Sequence, residues 1–174
     1  MDLGIQNKSA LVCASSQGLG FACASALARE GAHVFINGRN QERLDQAAAE
    51  IEDKTGARVQ SILADITTEQ GRQTLFNTCP NPDILINNNA GPPPGQLSDW
   101  NHDVWIDALE ANMLAPILLI RGYLNGMRER KFGRIVNITS AMVKSPRPHM
   151  ALSTSARTGL TAFCKSLSFE VAVD

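Results

Sequence analysis

Ser9-Ala10-Leu11-Val12-Cys13-Ala14-Ser15-Ser16-Gln17-Gly18-Leu19-Gly20 is the stretch on which the fold turns. Its first six residues form a short apolar run suited to a buried strand. From about Gly20 to Glu30 the pattern becomes helical, with Cys23, Ala26 and Leu27 at helical spacing and Gly31 suited to the C-cap. A strand that feeds a helix through a glycine turn is the opening of a βαβ unit. Glycines there let the backbone approach a phosphate, whose charge the exposed N–H groups at the helix start favour. They serve equally for close packing of helix on strand, and Cys23 stands where the strict G-x-G-x-x-G pattern has its last glycine.

The alternation continues outward from that unit. Val34-Phe35-Ile36 reads as a second strand, followed by a helix capped by Asn40, with Leu44, Ala47, Ala48 and Ile51 on one face and an end near Gly56. Val59 to Leu63 is a third strand. Thr67, with Gln70 three residues on, predicts a capping-box start for a short helix through Phe76. Asp83 to Ile86 is a fourth strand, followed by a polar, proline-rich turn from Asn87 to Gly95. A helical region from about Asn101 to Arg130 is interrupted by Pro116. Arg134 to Ile138 is a fifth strand, and Leu152 to Val171 a last helix with apolar residues at 152, 156, 160, 163, 167 and 171. Strands alternating with helices predict an α/β fold, a doubly wound parallel sheet flanked by helices and ordered 3-2-1-4-5. No linker or repeat divides residues 1–174, so they read as one domain. Such sheets gain another strand after a helix of this kind, so the stop at Asp174 reads as a truncation after the sixth major helix.

Composition narrows the function. Of 174 residues, 44% are hydrophobic and 19% charged, as in a globular chain with a core. Lys plus Arg is 16 against 17 for Asp plus Glu, which gives no reason to expect a nucleic-acid or anionic-membrane partner. Apolar runs such as Ile117 to Ile120 fall far short of the roughly 20 residues that span a bilayer. Met1-Asp2-Leu3-Gly4 lacks the basic start of a signal peptide. Cys13, Cys23, Cys79 and Cys164 have no CxxC spacing, so free thiols in a reducing cytoplasm are expected. His33, His102 and His149 are scattered, and no metal site is expected.

The end of the second strand points to a cofactor. An acid there would bind the ribose diol of NAD, whereas an arginine favours the extra phosphate of NADP. The chain has Asn37-Gly38-Arg39 and no acid, which favours NADP(H) over NAD(H).

Ala14-x-x-x-Gly18-x-Gly20, Asp65 after the third strand, an Asn-rich fourth-strand end and Gly133-Arg134-Ile135-Val136-Asn137-Ile138-Thr139-Ser140 together resemble the short-chain dehydrogenase/reductase family, which has a Rossmann-type fold. The resemblance covers essentially the whole chain. It is nearest to a divergent 3-oxoacyl-[acyl-carrier-protein] reductase-like branch with A-S-S-x-G-L-G in the first turn and a P-P-P-G insert, here Pro92 to Gly95. The resemblance implies that Ser15, Gln17, Gly18, Leu19 and Gly20 lie near the cofactor, with Asp65 and Ile66 flanking the adenine. Ala14 replaces the family's first motif glycine, which restricts the turn to conformations that a Cβ allows. The N-N-A-G segment matches Asn88, Asn89, Ala90 and Gly91, or, aligned through the proline-rich insert, Asn87 to Ala90.

The family's catalytic Asn and Ser correspond to Asn112 and Ser140. Pro116 has no N–H and crowds the carbonyl four residues earlier, that of Asn112, so a kink there would free this carbonyl to hold water. Ser140 falls at the carboxyl end of the fifth strand, where open sheets bind ligands; a turn or N-cap serine is the plainer reading. The family's proton-donating Tyr and its Lys correspond to Ser153 and Arg157, thirteen residues after Ser140 and one helical turn apart. A serine is a far weaker acid than a phenol of roughly pKa 10, and Arg157 stays charged without relaying protons. Tyr123, the single tyrosine, matches no donor position, and His149 is a possible substitute or a surface histidine.

The resemblance therefore implies an NADP(H)-dependent oxidoreductase acting on a ketone or secondary alcohol such as a 3-oxoacyl thioester, as a homodimer or homotetramer paired through the long kinked helix and the last helix. Ser153 keeps open the alternative of a cofactor-binding sensor, regulator or subunit without turnover.

Overall fold

The computed structural model describes residues 3–173. Five parallel strands form one sheet: β1 (Ser9–Val12), β2 (His33–Gly38), β3 (Val59–Leu63), β4 (Ile84–Asn87) and β5 (Arg134–Asn137), in the order β3-β2-β1-β4-β5. The expected topology is the observed one. Strand order reverses at β1, and a crevice opens at the carboxyl ends of the strands on either side of it.

Period-two alternation along the strands divides the core into two layers. Ala10 and Val12 of β1 face one side with Val34, Ile36, Ile84 and Ile86, and meet α1 (Gly18–Arg29) and α2 (Gln41–Thr55) through Ala24, Ala28, Leu44 and Ile51. Leu11, Cys13 and Leu85 face the other side and meet α3 (Glu69–Thr78) and α5 (Ala115–Glu129) through Leu75, Leu119, Ile120 and Tyr123. Each leucine withdrawn from water in this way stabilises the fold by about 1.5–3 kcal/mol. Phe163 and Leu167 of α6 (Ala151–Val171) join the second layer, while Ala162 points outward.

Several boundaries shift, for local reasons. β1 ends at Val12 because Ala14 turns into the left-handed region at φ 44°. α1 starts at Gly18, ahead of the expected Gly20, and its C-cap is Glu30, with Gly31 next at φ 82°. β2 is longer than expected and β4 is displaced by one residue. The cap of α3 is Thr68, whose hydroxyl accepts from the Gly71 N–H, and not Thr67, whose hydroxyl donates to Asp65 instead. Asn40 and Gly56 cap α2 as expected.

The long helical region breaks into α4 (His102–Leu109), one wide π-type turn (Glu110–Leu114) and α5. Pro116 supplies no N–H to Asn112, and the Ala115 N–H reaches back five residues to Glu110. Short 3₁₀ turns at Ala141–Val143 and Pro148–Met150 lead from β5 into α6. No helix among the described residues is long and apolar enough to cross a membrane.

Candidate active site

A cleft of about 410 Å³ opens at the carboxyl ends of β1, β2 and β3. Gln17, Gly18, Leu19, Arg39, Asp65, Ile66, Asn88, Asn89 and Ala90 all line it, so the structure brings residues from four separate segments together. Asn87 is not among them: it is buried within the sheet and donates to the Asn137 side chain at 2.9 Å, which favours the register that starts at Asn88.

The glycine turn is built by close approach. Gly20 is buried, and a Cβ there would overlap the Ala14 carbonyl oxygen and sit 2.8 Å from the Ser15 Cα. Gly18, at φ 60°, has open space where a side chain would point. Ala14 takes φ 44° despite its Cβ, contrary to the restriction expected of it. Its carbonyl accepts from the Asn88 side chain at 3.0 Å, which holds the strained residue in place. Ser15 does not line the cleft. Its hydroxyl donates to the Val12 carbonyl at 2.6 Å and accepts from the Asn37 N–H at 3.0 Å, and Ser16 takes the lining position.

Asn37 explains how β2 ends without an acid. Its side-chain amide donates to the carbonyls of Ile62 and Ala64, at 3.1 and 2.9 Å, tying β2 to β3. The charged groups at this end are Arg39, Arg43 and Asp65. Asp65 Oδ1 accepts from the backbone and hydroxyl of Thr67, and Oδ2 lies 3.5 Å from Arg39 Nη1. Burial works to raise the Asp65 pKa, but the Thr67 hydrogen bonds and the Arg39 charge outweigh it and hold the carboxyl below its ordinary value. Arg43 and Ser16 carry no expectation from the sequence, whereas Asn37 is expected there only as the residue in place of an acid and Asn40 only as a helix cap. The signal for Arg43 was its place in the first turn of a helix capped by Asn40.

Asn112, Ser140, Ser153 and Arg157 gather around α6, which packs on both the wide turn holding Asn112 and the 3₁₀ turn after Ser140. Asn112 is buried, its amide directed to the Ala108 carbonyl at 3.4 Å and its Oδ1 without a partner. Ser140 caps its 3₁₀ turn by accepting from the Met142 N–H. Ser153 and Arg157 are both buried. Arg157 does not extend into the cleft: Nη1 donates to the Ile138 carbonyl at 2.6 Å and Nη2 to that of Asn89 at 3.2 Å. Burial lowers its pKa. Tyr123 lies in the α5 core layer, edge-on to Phe76.

The sequence and the fold are both similar to those of known proteins. The family model described as short chain dehydrogenase matches residues 8–174. The chain belongs to the short-chain dehydrogenase family. It is 37% identical over 169 residues to an uncharacterized oxidoreductase, YvaG, of Bacillus subtilis (strain 168), and 34% identical over 173 residues to human dehydrogenase/reductase SDR family member 4. Each match takes in 97% of this chain, which spans 64% of the first relative and 62% of the second. The crystal structure of L-sorbose reductase from Gluconobacter frateurii, complexed with NADPH and L-sorbose, superposes with a TM-score of 0.93 at 31% identity, covering 99% of this chain and 67% of that one.

Proposed function

We propose that this short-chain dehydrogenase binds NADP(H) and is an oxidoreductase moving a hydride between the nicotinamide and a ketone or secondary alcohol, with 3-oxoacyl thioesters as the substrate class. One observation carries the reading: the cleft joins a glycine turn without room for a Cβ at Gly20 to two arginines, Arg39 and Arg43, with Asn37 where an acid would select NAD(H). The NADPH in the L-sorbose reductase complex supports the same choice.

Bound there, the nicotinamide would supply or accept the hydride. The chain does the rest. Gln17, Gly18, Leu19 and Gly20 hold the diphosphate, Arg39 and Arg43 the phosphate on the ribose, and Asp65, Ile66, Asn88, Asn89 and Ala90 the remaining walls of the cleft. Ser140 donates to the substrate carbonyl, and Asn112 holds a water. Ser153 replaces the phenolic donor of the family with a much weaker acid, so the proton comes from water and turnover is slow; general acid catalysis is typically worth about 10²–10⁴-fold. Arg157 positions the walls. The exposed sides of α5 and α6 pair copies of the chain as a homodimer or homotetramer.

Ser153 also favours a second reading, dinucleotide binding without turnover. Calorimetric titration with NADPH and NADH, followed by NADPH consumption across a panel of ketones, separates the two. Saturable binding with turnover supports the enzyme. Binding alone, with activity gained by Ser153→Tyr plus Arg157→Lys, selects the sensor or subunit. No saturation with either nucleotide sinks both.

A further inference from the structure

We infer that Arg72 is a positioning residue for the site: it ties the cleft wall at Ile66 to the wide turn that carries Asn112, and so sets where a bound dinucleotide stands relative to Asn112. The inference rests on the NADP(H) reading above. Nη1 of Arg72 donates to the Ile66 carbonyl at 2.9 Å and to Glu110 Oε1 at 3.2 Å. Ile66 lines the cleft, and Glu110 opens the wide turn two residues before the buried Asn112. One side chain of α3 thus touches both the wall that would hold the dinucleotide and the turn that would hold the water.

The backbone seats Arg72 for the task. Gly71 is buried, and a Cβ there would overlap the Asp65 carbonyl oxygen, which also accepts from the Thr68 hydroxyl at 3.0 Å. The first turn of α3 is therefore drawn onto Asp65, and Arg72, the next residue, meets the Ile66 carbonyl. The Arg72 side chain is only 13% exposed, against 32% or more for the other arginines paired with an acid among the described residues. A pair withdrawn from water adds little net stability over apolar side chains of similar volume. A nitrogen with two N–H groups aimed at two acceptors does something else, because it holds both in one frame. The wide turn is referenced to the β3 wall through Arg72, as it is to the β4 wall through Asn89, which donates to the Ala111 carbonyl.

The test is a double-mutant cycle in NADPH affinity, measured by calorimetry well below the melting temperature of each variant, so that lost stability alone leaves the readout unmoved. Arg72→Met is expected to weaken NADPH binding by about three- to tenfold and Glu110→Met by less. The double variant should bind no more weakly than Arg72→Met, because the pair acts as one unit. Arg72→Lys keeps the charge and the donors; its affinity should lie between those of the parent and Arg72→Met, and it carries the test should the methionine variant fail to fold. With any ketone that the parent turns over, Glu110→Met should lower kcat by a larger factor than it raises KM for NADPH. Losses that add in the double variant, or an unchanged Kd in folded Arg72→Met, overturn the inference and leave the NADP(H) reading intact. If the unaltered chain does not saturate with NADPH, that reading fails and the inference with it.

Discussion

The side-chain amide of Asn89 donates to the carbonyl of Ala111 at 3.1 Å, joining the turn after β4 to the wide turn between α4 and α5. In an uninterrupted helix that carbonyl would accept from the N–H of Ala115, but the Ala115 N–H is drawn back to Glu110. Asn89 replaces the missing donor. Its own carbonyl accepts from Arg157, whose other arm holds the Ile138 carbonyl, so the wide turn, both strand ends and α6 are fastened in one chain of hydrogen bonds. Asn89→Ala is expected to destabilise the fold by about 1–3 kcal/mol, the cost of leaving a half-buried carbonyl unpaired. Urea unfolding measures it; an unchanged midpoint would mean that solvent replaces the amide without loss.

Removal of Arg157 should cost more. Arg157→Met keeps much of the buried volume but leaves the Ile138 and Asn89 carbonyls without their donors, and about 2 kcal/mol or more of stability is expected to go. Arg157→Lys keeps the charge, yet an ammonium on a single stem does not reproduce a fork spanning two strands, so an intermediate loss is expected. Thermal and urea unfolding of the pair against the unaltered chain decides this. A lysine variant as stable as the arginine would show that charge, not span, matters at this position.

Sequence pattern reveals the elements because buried strands and helices with one apolar stripe have different periods, and the rules for crossovers between parallel strands supply their order. Ala10 to Cys13 and the face of Leu44, Ala47 and Ile51 carried that signal directly. Cap positions were read less well. Thr67 and Thr68 are chemically equivalent as caps, and only the position of Asp65, which takes the Thr67 hydroxyl, decides between them. The glycine turn and Arg39 are legible from residue chemistry, while Asp65, Ile66 and Asn88 to Ala90 are legible only through the family resemblance. Ser15, Asn37 and Arg43 were harder to assign: their roles depend on partners in other strands or on the absence of a counter-charge, which no local spacing encodes.

Ala14 is an alanine in a glycine's conformation. At φ 44° its Cβ crowds the following carbonyl, a cost of about 1–2 kcal/mol for an L-residue. Ala14→Gly removes that cost and adds back part of it as chain entropy in the unfolded state, so a net gain of about 1 kcal/mol or slightly less is expected. A calorimetric melting scan would show it as a rise in Tm. A fall would mean that the Ala14 methyl packs better than its backbone angle suggests.

The Asp65 carboxyl gives stability a pH dependence of definite sign. Its pKa lies below the ordinary carboxylate value in the folded state, so its hydrogen bonds and its pairing with Arg39 contribute above that ordinary value, and the contribution fades as pH falls through the folded value. The difference in urea stability between the unaltered chain and Asp65→Asn should therefore be present at about pH 7 and shrink toward about pH 3. A difference that grows on acidification would reverse the assignment of which form the fold prefers.

Tyr123 is the only phenol in the chain, and the fold holds it in the core, away from the cleft. Its ring stands edge-on to Phe76 at 5.0 Å in the layer between α3 and α5, its hydroxyl is buried with no hydrogen-bond partner, and burial pushes its pKa well above the ordinary phenol value. A neutral, unpartnered hydroxyl in an apolar layer contributes nothing to binding and costs desolvation. Tyr123→Phe, which removes that one oxygen and keeps the ring, is thus expected to be as stable as the parent or more stable by up to about 1 kcal/mol. NADPH consumption with any ketone that the parent turns over should be unchanged. A variant that melts normally but loses turnover would make this phenol the proton source after all, and would require the α5 layer to open toward the cleft.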